Sequence, residues 1–358
     1  MKILHLVHNY YGFSGASRQA KNIAKGILAA YPDIEQRFFT FKSKMCEHYD
    51  GDKSDFIVYS SKPHSISKIY SLLKVIILYR PEIIHFHGAD FLMLIVCKLM
   101  GIQVYWKTTL YGSDDFTSLF SGRFGTIKKF LTRFIDMNNT LTHQIRKEHN
   151  KFLLPERMVT IPNGVNIPSV VNVDEKINLA VIVSAIIPRK SVLEGIFFFN
   201  KNLRKLGYKL FIVGPSSPRL DGFSPEYLDE CKNHQDDNVI FLGEISHEKT
   251  LDILRKARFL IHLSRSEGMP NVVLEAMAYS VYPILSDMNG LTEELIDDGV
   301  TGFNVEKRND FSLLKHLSYN AKGRDSVIEK NSFDIVSSKT VDVYEVLKNG
   351  TSQRKDHS

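Results

Sequence analysis

The chain has 358 residues, of which 43% are hydrophobic and 24% charged, with Lys+Arg 46 against Asp+Glu 40 for a net charge of +6. That is an ordinary globular composition sized for about two domains of roughly 100–200 residues, and it excludes disorder, collagen and a disulfide scaffold as global descriptions. The mild positive balance admits an anionic ligand or an anionic lipid surface, but it is too weak to argue for nucleic acid.

In chain order, short apolar runs at 3–7, 56–59, 83–86, 104–107, 159–161, 179–183, 210–213, 239–242, 259–263 and 281–285 read as strands. Between them, segments 17–30, 66–79, 91–100, 124–134, 192–206, 249–256 and 272–278 have helical length and spacing. Strand and helix alternating this regularly predict an α/β protein with parallel sheets covered on both faces. The strands are nearly continuous in apolar residues, as strands buried on both faces must be. Ten strands exceed one comfortable sheet, so two doubly wound domains are expected, with ligand at the carboxyl ends of the strands, in the cleft between the domains. Pro162-Asn163-Gly164 and Pro168 punctuate the break. The expected domains are 1–165 and 166–332, followed by a helix at 333–349 that crosses back to the first domain and a disordered tail at 350–358.

Cys46, Cys97 and Cys231 lie far apart with no CxxC, which fits a reducing compartment. The apolar start at 1–8 is short and lacks a cleavage pattern, so it reads as a first strand and not as a signal peptide. No apolar run approaches the ~20 residues that span a bilayer. A cytoplasmic protein is expected. Segments 67–79 and 123–133 mix Lys and Arg with large apolar residues, and they read either as core-facing helices with solvated lysines or as surfaces that rest on anionic lipid.

The stretch Ser264-Arg265-Ser266-Glu267-Gly268-Met269-Pro270-Asn271-Val272-Val273-Leu274-Glu275 carries the most chemistry. A strand ends, a turn follows, and a helix starts near Asn271, read as its N-cap. Backbone N–H groups at such a start favour an anion. Glu267 on the turn can face a sugar, and Glu275 inside the helix can accept two hydroxyl hydrogen bonds. On spacing alone a cap and a solvated face residue remain the alternatives.

This stretch resembles the signature of the family-4 retaining glycosyltransferases of the GT-B fold. Residues 161–166, 283–305 and 10–16 resemble further family segments in the same order, so the resemblance covers nearly the whole chain. It implies two facing Rossmann-like domains, the second binding a nucleotide-sugar and the first an acceptor. It implies that Glu267 contacts the transferred sugar, that Glu275 holds the donor ribose, and that Gly268, Met269, Pro270, Asn271 and Val272 hold sugar and diphosphate through their backbone. Lys190 matches a diphosphate-binding lysine. The accompanying arginine position is Ala185, and Arg189 is the candidate replacement. Two cations there suit a departing diphosphate.

In the first domain, Ser14 and Gly15 lie on the glycine loop after strand one, near donor phosphate by resemblance, although a dinucleotide fingerprint is absent. His87 is placed at the cleft, or else is a packed strand-end histidine. With His85 it has a metal-like i, i+2 spacing, but no third ligand is in register. Tyr111 stands where the family commonly has a sugar-contacting histidine. Asp114 either orients an acceptor or holds its loop, and Glu294 matches a family acid of uncertain role. The Asp pairs Asp114-Asp115, Asp236-Asp237 and Asp297-Asp298 do not have the DxD spacing, and no metal and no cofactor is expected.

The expected function is retaining, metal-independent transfer of a hexose, with a UDP-linked donor as the guess, to a hydroxyl of a glycan or lipid-linked acceptor. The implied setting is assembly of lipopolysaccharide, O-antigen or capsule, peripheral on the cytoplasmic membrane face. The alternatives are a GT-B nucleotide-sugar epimerase and a catalytically silent nucleotide-sugar-binding subunit.

Overall fold

The computed structural model describes residues 1–11, 15–41, 56–62 and 64–355, with side chains described as far as residue 350. The chain divides into two compact units, Met1–Gly164 with Phe333–Ser358, and Val165–Ser332.

The first unit contains β1 (Lys2–Val7), α1 (Gly15–Ala30), β2 (Glu35–Thr40), β3 (Ile57–Ser60), α2 (Ser65–Tyr79), β4 (Ile83–His87), α3 (Phe91–Leu99) and β5 (Gln103–Lys107). It continues with α4 (Phe116–Ser121), α5 (Gly125–Leu131), β6 (Met137–Asn139), α6 (His143–His149) and β7 (Met158–Val159). Its seven strands are all parallel, in the order β3-β2-β1-β4-β5-β6-β7. Alternation along each strand sorts the core into two faces. Leu4, Leu6, Ile84, Phe86, Val104 and Trp106 join one buried cluster. Ile3, Ile83 and Tyr105 join the other, where Ile23 and Ile27 of α1 meet them. Helix α1 buries Ala20, Ile23, Ala24 and Ile27, the stripe that a 3.6-residue period produces. Asp90, Asp115 and Thr142 cap α3, α4 and α6 by accepting from the N–H of Met93, Ser118 and Ile145.

The second unit contains β8 (Leu179–Val183), α7 (Val192–Asn202), β9 (Lys209–Val213), α8 (Pro225–Lys232), β10 (Val239–Gly243), α9 (His247–Lys256) and β11 (Phe259–His262). It ends with α10 (Asn271–Ala278), β12 (Tyr282–Leu285), α11 (Leu291–Leu295), β13 (Phe303–Asn304) and α12 (Ala321–Asn331). Its six parallel strands run β10-β9-β8-β11-β12-β13. Leu179 and Val181 face one core cluster, and Ala180 and Ile182 face the other. Gly214, just past β9, has φ +147, and a Cβ there would stand 1.9 Å from the Ser184 carbonyl oxygen, so only glycine fits that approach.

The long helix α13 (Phe333–Lys355) belongs to the first unit, where Val336, Val341, Tyr344 and Leu347 pack against Ile3, Ile83 and Tyr105. It continues to Lys355, past Asn349, where a disordered tail was expected to begin. Both sheets are doubly wound, and in each the chain reverses direction of growth beside its first strand. These reversals lie between β1 and β4 and between β8 and β11, the places where such sheets open a crevice at their carboxyl ends.

Candidate active site

In the second unit, two loops leave the sheet at its reversal point. Pro188–Lys190 forms a short turn after β8, and Ser264–Pro270 links β11 to α10. Arg189 binds the two loops together, since its Nη1 donates to the Ser266 carbonyl at 2.7 Å and its own carbonyl accepts from the Arg265 N–H at 2.9 Å. Ser264 Oγ adds a bond to the Arg189 carbonyl at 3.3 Å.

Glu267 sits at the centre of this junction, 7% exposed. Its Oε1 accepts from Lys190 Nζ and lies 3.1 Å from His262 Nε2, and its Oε2 lies 3.9 Å from Arg189 Nη1. Burial alone raises a carboxyl pKa, but the hydrogen bonds and charges of His262 and Lys190 outweigh it and hold Glu267 well below the usual carboxylate range. Glu267 is therefore an ionised carboxylate fixed by three basic side chains. Lys190 and Arg189 are the more open partners, with side chains 17% and 40% exposed, so the cationic rim faces outward from the buried acid.

Helix α10 begins at Asn271, with Pro270 as its capping residue and no side-chain cap. The expectation that Asn271 is the N-cap is corrected: Asn271 is the first helical residue, because Pro270 has an extended ψ of 105° and ends the turn. Gly268, Met269, Pro270, Asn271 and Val272 thus form the loop and first turn next to Glu267. Glu275, one turn further in, is mostly buried, and its Oε1 lies 2.9 Å from His247 Nε2 at the start of α9. A cavity of about 380 Å³ borders the same loop, lined by Glu194, Ser264, Arg265, Asp287, Met288 and Glu306 among others. Glu294 lies in α11, on the segment after β12.

In the first unit, Gly15 opens α1, and Ser14 lies outside the described residues. His87 is the last residue of β4 and is buried. Asp114 accepts from the Thr109 N–H at 2.9 Å, the Thr109 hydroxyl at 2.7 Å and the Leu110 N–H at 2.6 Å, so its carboxylate holds its own loop. Tyr111 stands half-buried on that loop. The third metal-type ligand that β4 lacks is His5 on β1. The ligand atoms of His5, His85 and His87 lie within 4.8 Å of one another, the one such group among the described residues. Four of their six ring nitrogens are already engaged: His5 Nδ1 is 3.0 Å from His87 Nε2, His5 Nε2 is 3.0 Å from Gln36 Oε1, and His85 Nδ1 is 2.7 Å from the Tyr344 hydroxyl.

His262 and His247, the partners of the two glutamates, went unnoticed in the sequence. His262 could have been found as a polar residue inside an apolar strand, whereas nothing local marks His247.

The family model for glycosyl transferases group 1 matches residues 166–327, and that for glycosyltransferase family 4 matches residues 13–168. Over 330 residues the chain is 24% identical to an uncharacterised glycosyltransferase of Methanocaldococcus jannaschii, covering 88% of this chain and 87% of the relative. It is also 24% identical over 326 residues to the N-acetyl-alpha-D-glucosaminyl L-malate synthase of Bacillus anthracis, covering 82% and 83%. Among solved structures, Anabaena HepE in complex with UDP and glucose superposes with a TM-score of 0.75 at 15% identity, covering 96% of this chain and 99% of that one. The lipopolysaccharide outer core galactosyltransferase WaaB superposes with a TM-score of 0.62 at 17% identity, covering 97% of each chain.

Proposed function

Since the chain belongs to the group 1, family 4 retaining glycosyltransferases of the GT-B fold, which draw on nucleotide-sugar donors, we propose that its second unit binds a UDP-hexose and its first unit an acceptor hydroxyl. The carrying observation is Glu267, buried and ionised between Lys190, Arg189 and His262 at the mouth of the α10 start. Glu267 contacts the hydroxyls of the transferred sugar. Lys190 and Arg189 meet the diphosphate together with the first N–H groups of α10, and they stabilise the charge that grows as it leaves. Glu275 accepts from the ribose hydroxyls. UDP is favoured because the HepE structure carries UDP and glucose.

The transfer is a front-face substitution. The bond from the anomeric carbon to the phosphate oxygen breaks, and the bond to the acceptor oxygen forms on the same side. The acceptor proton passes to the leaving phosphate oxygen, and no metal is required. Trapping a covalent glycosyl-enzyme would contradict this course. The acceptor is a hydroxylated small molecule or a lipid-linked glycan of surface polysaccharide assembly.

A lipid-linked acceptor is favoured by one surface. No helix among the described residues is long and apolar enough to cross a membrane. Helix α5 buries none of its residues, and Phe124, Ile127 and Phe130 stand exposed beside Arg123, Lys129 and Arg133. Such a face suits an anionic bilayer surface. Sedimentation with phosphatidylglycerol vesicles should carry the protein down, and Phe124→Ser with Phe130→Ser should leave it in solution.

The function is tested by incubating the protein, in EDTA, with a panel of UDP-, GDP- and ADP-hexoses and acceptors that include L-malate and lipid-linked sugars. Release of one nucleoside diphosphate, with a retained anomeric configuration in the product, is expected. Binding of a nucleotide-sugar with no turnover under any acceptor would favour the silent-subunit reading, which the Ala185 and Tyr111 departures motivate.

A further inference from the structure

At the first unit's reversal point, His5 of β1 faces His85 and His87 of β4 from the α1 side of the sheet. Gln36 of β2 continues the row: its Oε1 is 3.0 Å from His5 Nε2, and its Nε2 donates to the Ala24 carbonyl of α1 at 3.0 Å. A carbonyl only accepts, so the amide must turn its NH₂ to Ala24 and its oxygen to His5. His5 Nε2 therefore carries a proton. Burial lowers the His5 pKa to about 4, so the ring is neutral and its Nδ1 is a bare lone pair. The 3.0 Å contact with His87 Nε2 then needs its proton from His87. Burial above all, with repulsion from Lys107 and from any proton gained by His5, holds His87 neutral as well. Its Nδ1 is consequently an unprotonated acceptor, and it is buried with no hydrogen-bond partner.

The next strand supplies the complement. Lys107, the last residue of β5, is the register partner of His87, and its Nζ is likewise buried with no hydrogen-bond partner. Among the described residues the row also meets His85, whose Nδ1 lies 2.7 Å from the Tyr344 hydroxyl of α13 and whose Nε2 is buried without a partner, and Tyr105 of β5. Gly88, which follows His87, is flanked by His8 and by the Asp114 carboxylate. Burial lowers the Lys107 pKa to about 7, and its amine offers N–H donors in either form, so beside the acceptor-only His87 nitrogen it matches a group that both donates and accepts, which is a hydroxyl.

We propose that the Ala24 carbonyl, Gln36 and His5 lock His87 into its Nε2–H form, and that His87 Nδ1 and Lys107 Nζ together bind one hydroxyl of the acceptor. This rests on the reading that the first unit holds the acceptor. His87 and Lys107 are the binding groups, and Gln36 and His5 are positioning residues that act through His87. The geometry disfavours a metal, because four of the six ring nitrogens are committed to this chain of bonds or to Tyr344.

The test uses the full chain labelled with ¹⁵N-histidine, free of ligand, with signals assigned by His5→Phe and His87→Gln variants. Long-range proton–nitrogen correlation distinguishes the two imidazole tautomers. Both His5 and His87 should show the Nε2–H pattern and should not titrate between about pH 5.5 and 8. A His87 carrying Nδ1–H, a His87 that titrates near its ordinary value, or displacement of all three histidine signals by stoichiometric Zn²⁺ would overturn the proposal. Gln36→Leu should mix the His87 tautomers and raise the acceptor KM roughly 3- to 10-fold with the donor KM unchanged. Lys107→Met, which keeps the buried volume, should raise the same KM if Gln36→Leu does not fold. An unmoved acceptor KM in the folded variants, despite the expected tautomers, overturns the binding half. If the wild-type protein turns over no donor with any acceptor, the transferase reading fails and the proposal with it, a result separate from the tautomer spectrum.

Discussion

The two units share a strand order and reverse it at equivalent places, yet they fill those places with opposite chemistry. In the second unit the reversal holds an ionised carboxylate among three basic side chains, of which Arg189 is open to solvent and Lys190 partly so. In the first it holds neutral, fully buried histidines joined by a directed chain of hydrogen bonds. The same crevice geometry thus suits two different kinds of ligand. Charges at a rim suit a ligand that brings or develops negative charge, such as a diphosphate. A buried acceptor nitrogen beside a donor amine suits a polar, uncharged group. Topology supplies the place, and the residues at the strand ends decide what occupies it.

The contrast is broken most strongly at Glu267. Glu267→Ala should lower transfer by on the order of 10²–10³-fold while leaving the far-ultraviolet dichroism unchanged. The pH dependence carries a sign. The folded pKa of Glu267 is depressed, so its stabilisation is present above the unfolded carboxylate range and is lost as pH falls through the lower folded value. Acid unfolding followed by fluorescence should therefore show a smaller loss of stability below about pH 4.5 in Glu267→Gln than in the wild type. Next in size, Lys190→Met should cost about 10²-fold in kcat, since one charge-assisted contact to the leaving group is removed. Glu275→Ala should act on binding, raising the donor KM about 10-fold with kcat nearly unchanged. In the first unit, Asp114→Ala should leave the donor KM alone and destabilise the unit by about 1–3 kcal/mol in thermal unfolding, because the N–H groups of Thr109 and Leu110 lose their acceptor.

Much of this contrast was legible in the sequence on one side and hidden on the other. The runs at 179–183 and 259–263 read as strands, and Glu267, Glu275 and Lys190 read as a set through the family resemblance, with Glu275 inside the helix that starts near 271. Their contact does not follow from spacing: Lys190 and Glu267 are 77 positions apart and meet only because β8 and β11 are neighbours. The first unit was harder. Strand β2 begins Glu-Gln-Arg and carries no apolar run until Phe38, so it escaped notice, and with it Gln36. Strand β6, Met-Asn-Asn, is buried because Asn138 and Asn139 spend their amides on the Trp106 and Ile161 carbonyls, which no hydropathy pattern reveals. The i, i+2 pair His85 and His87 was visible, but the partner that gives it direction, His5, comes from another strand.

The central claim, that the second unit's charged reversal point performs the donor chemistry, is tested most directly by one comparison. Nucleoside diphosphate release from UDP-glucose would be measured in EDTA for the wild type and for Glu267→Ala, alongside thermal stabilisation of each by UDP. The account predicts release by the wild type, none above background by Glu267→Ala, and equal stabilisation of both by UDP. Release by Glu267→Ala at the wild-type rate would contradict it.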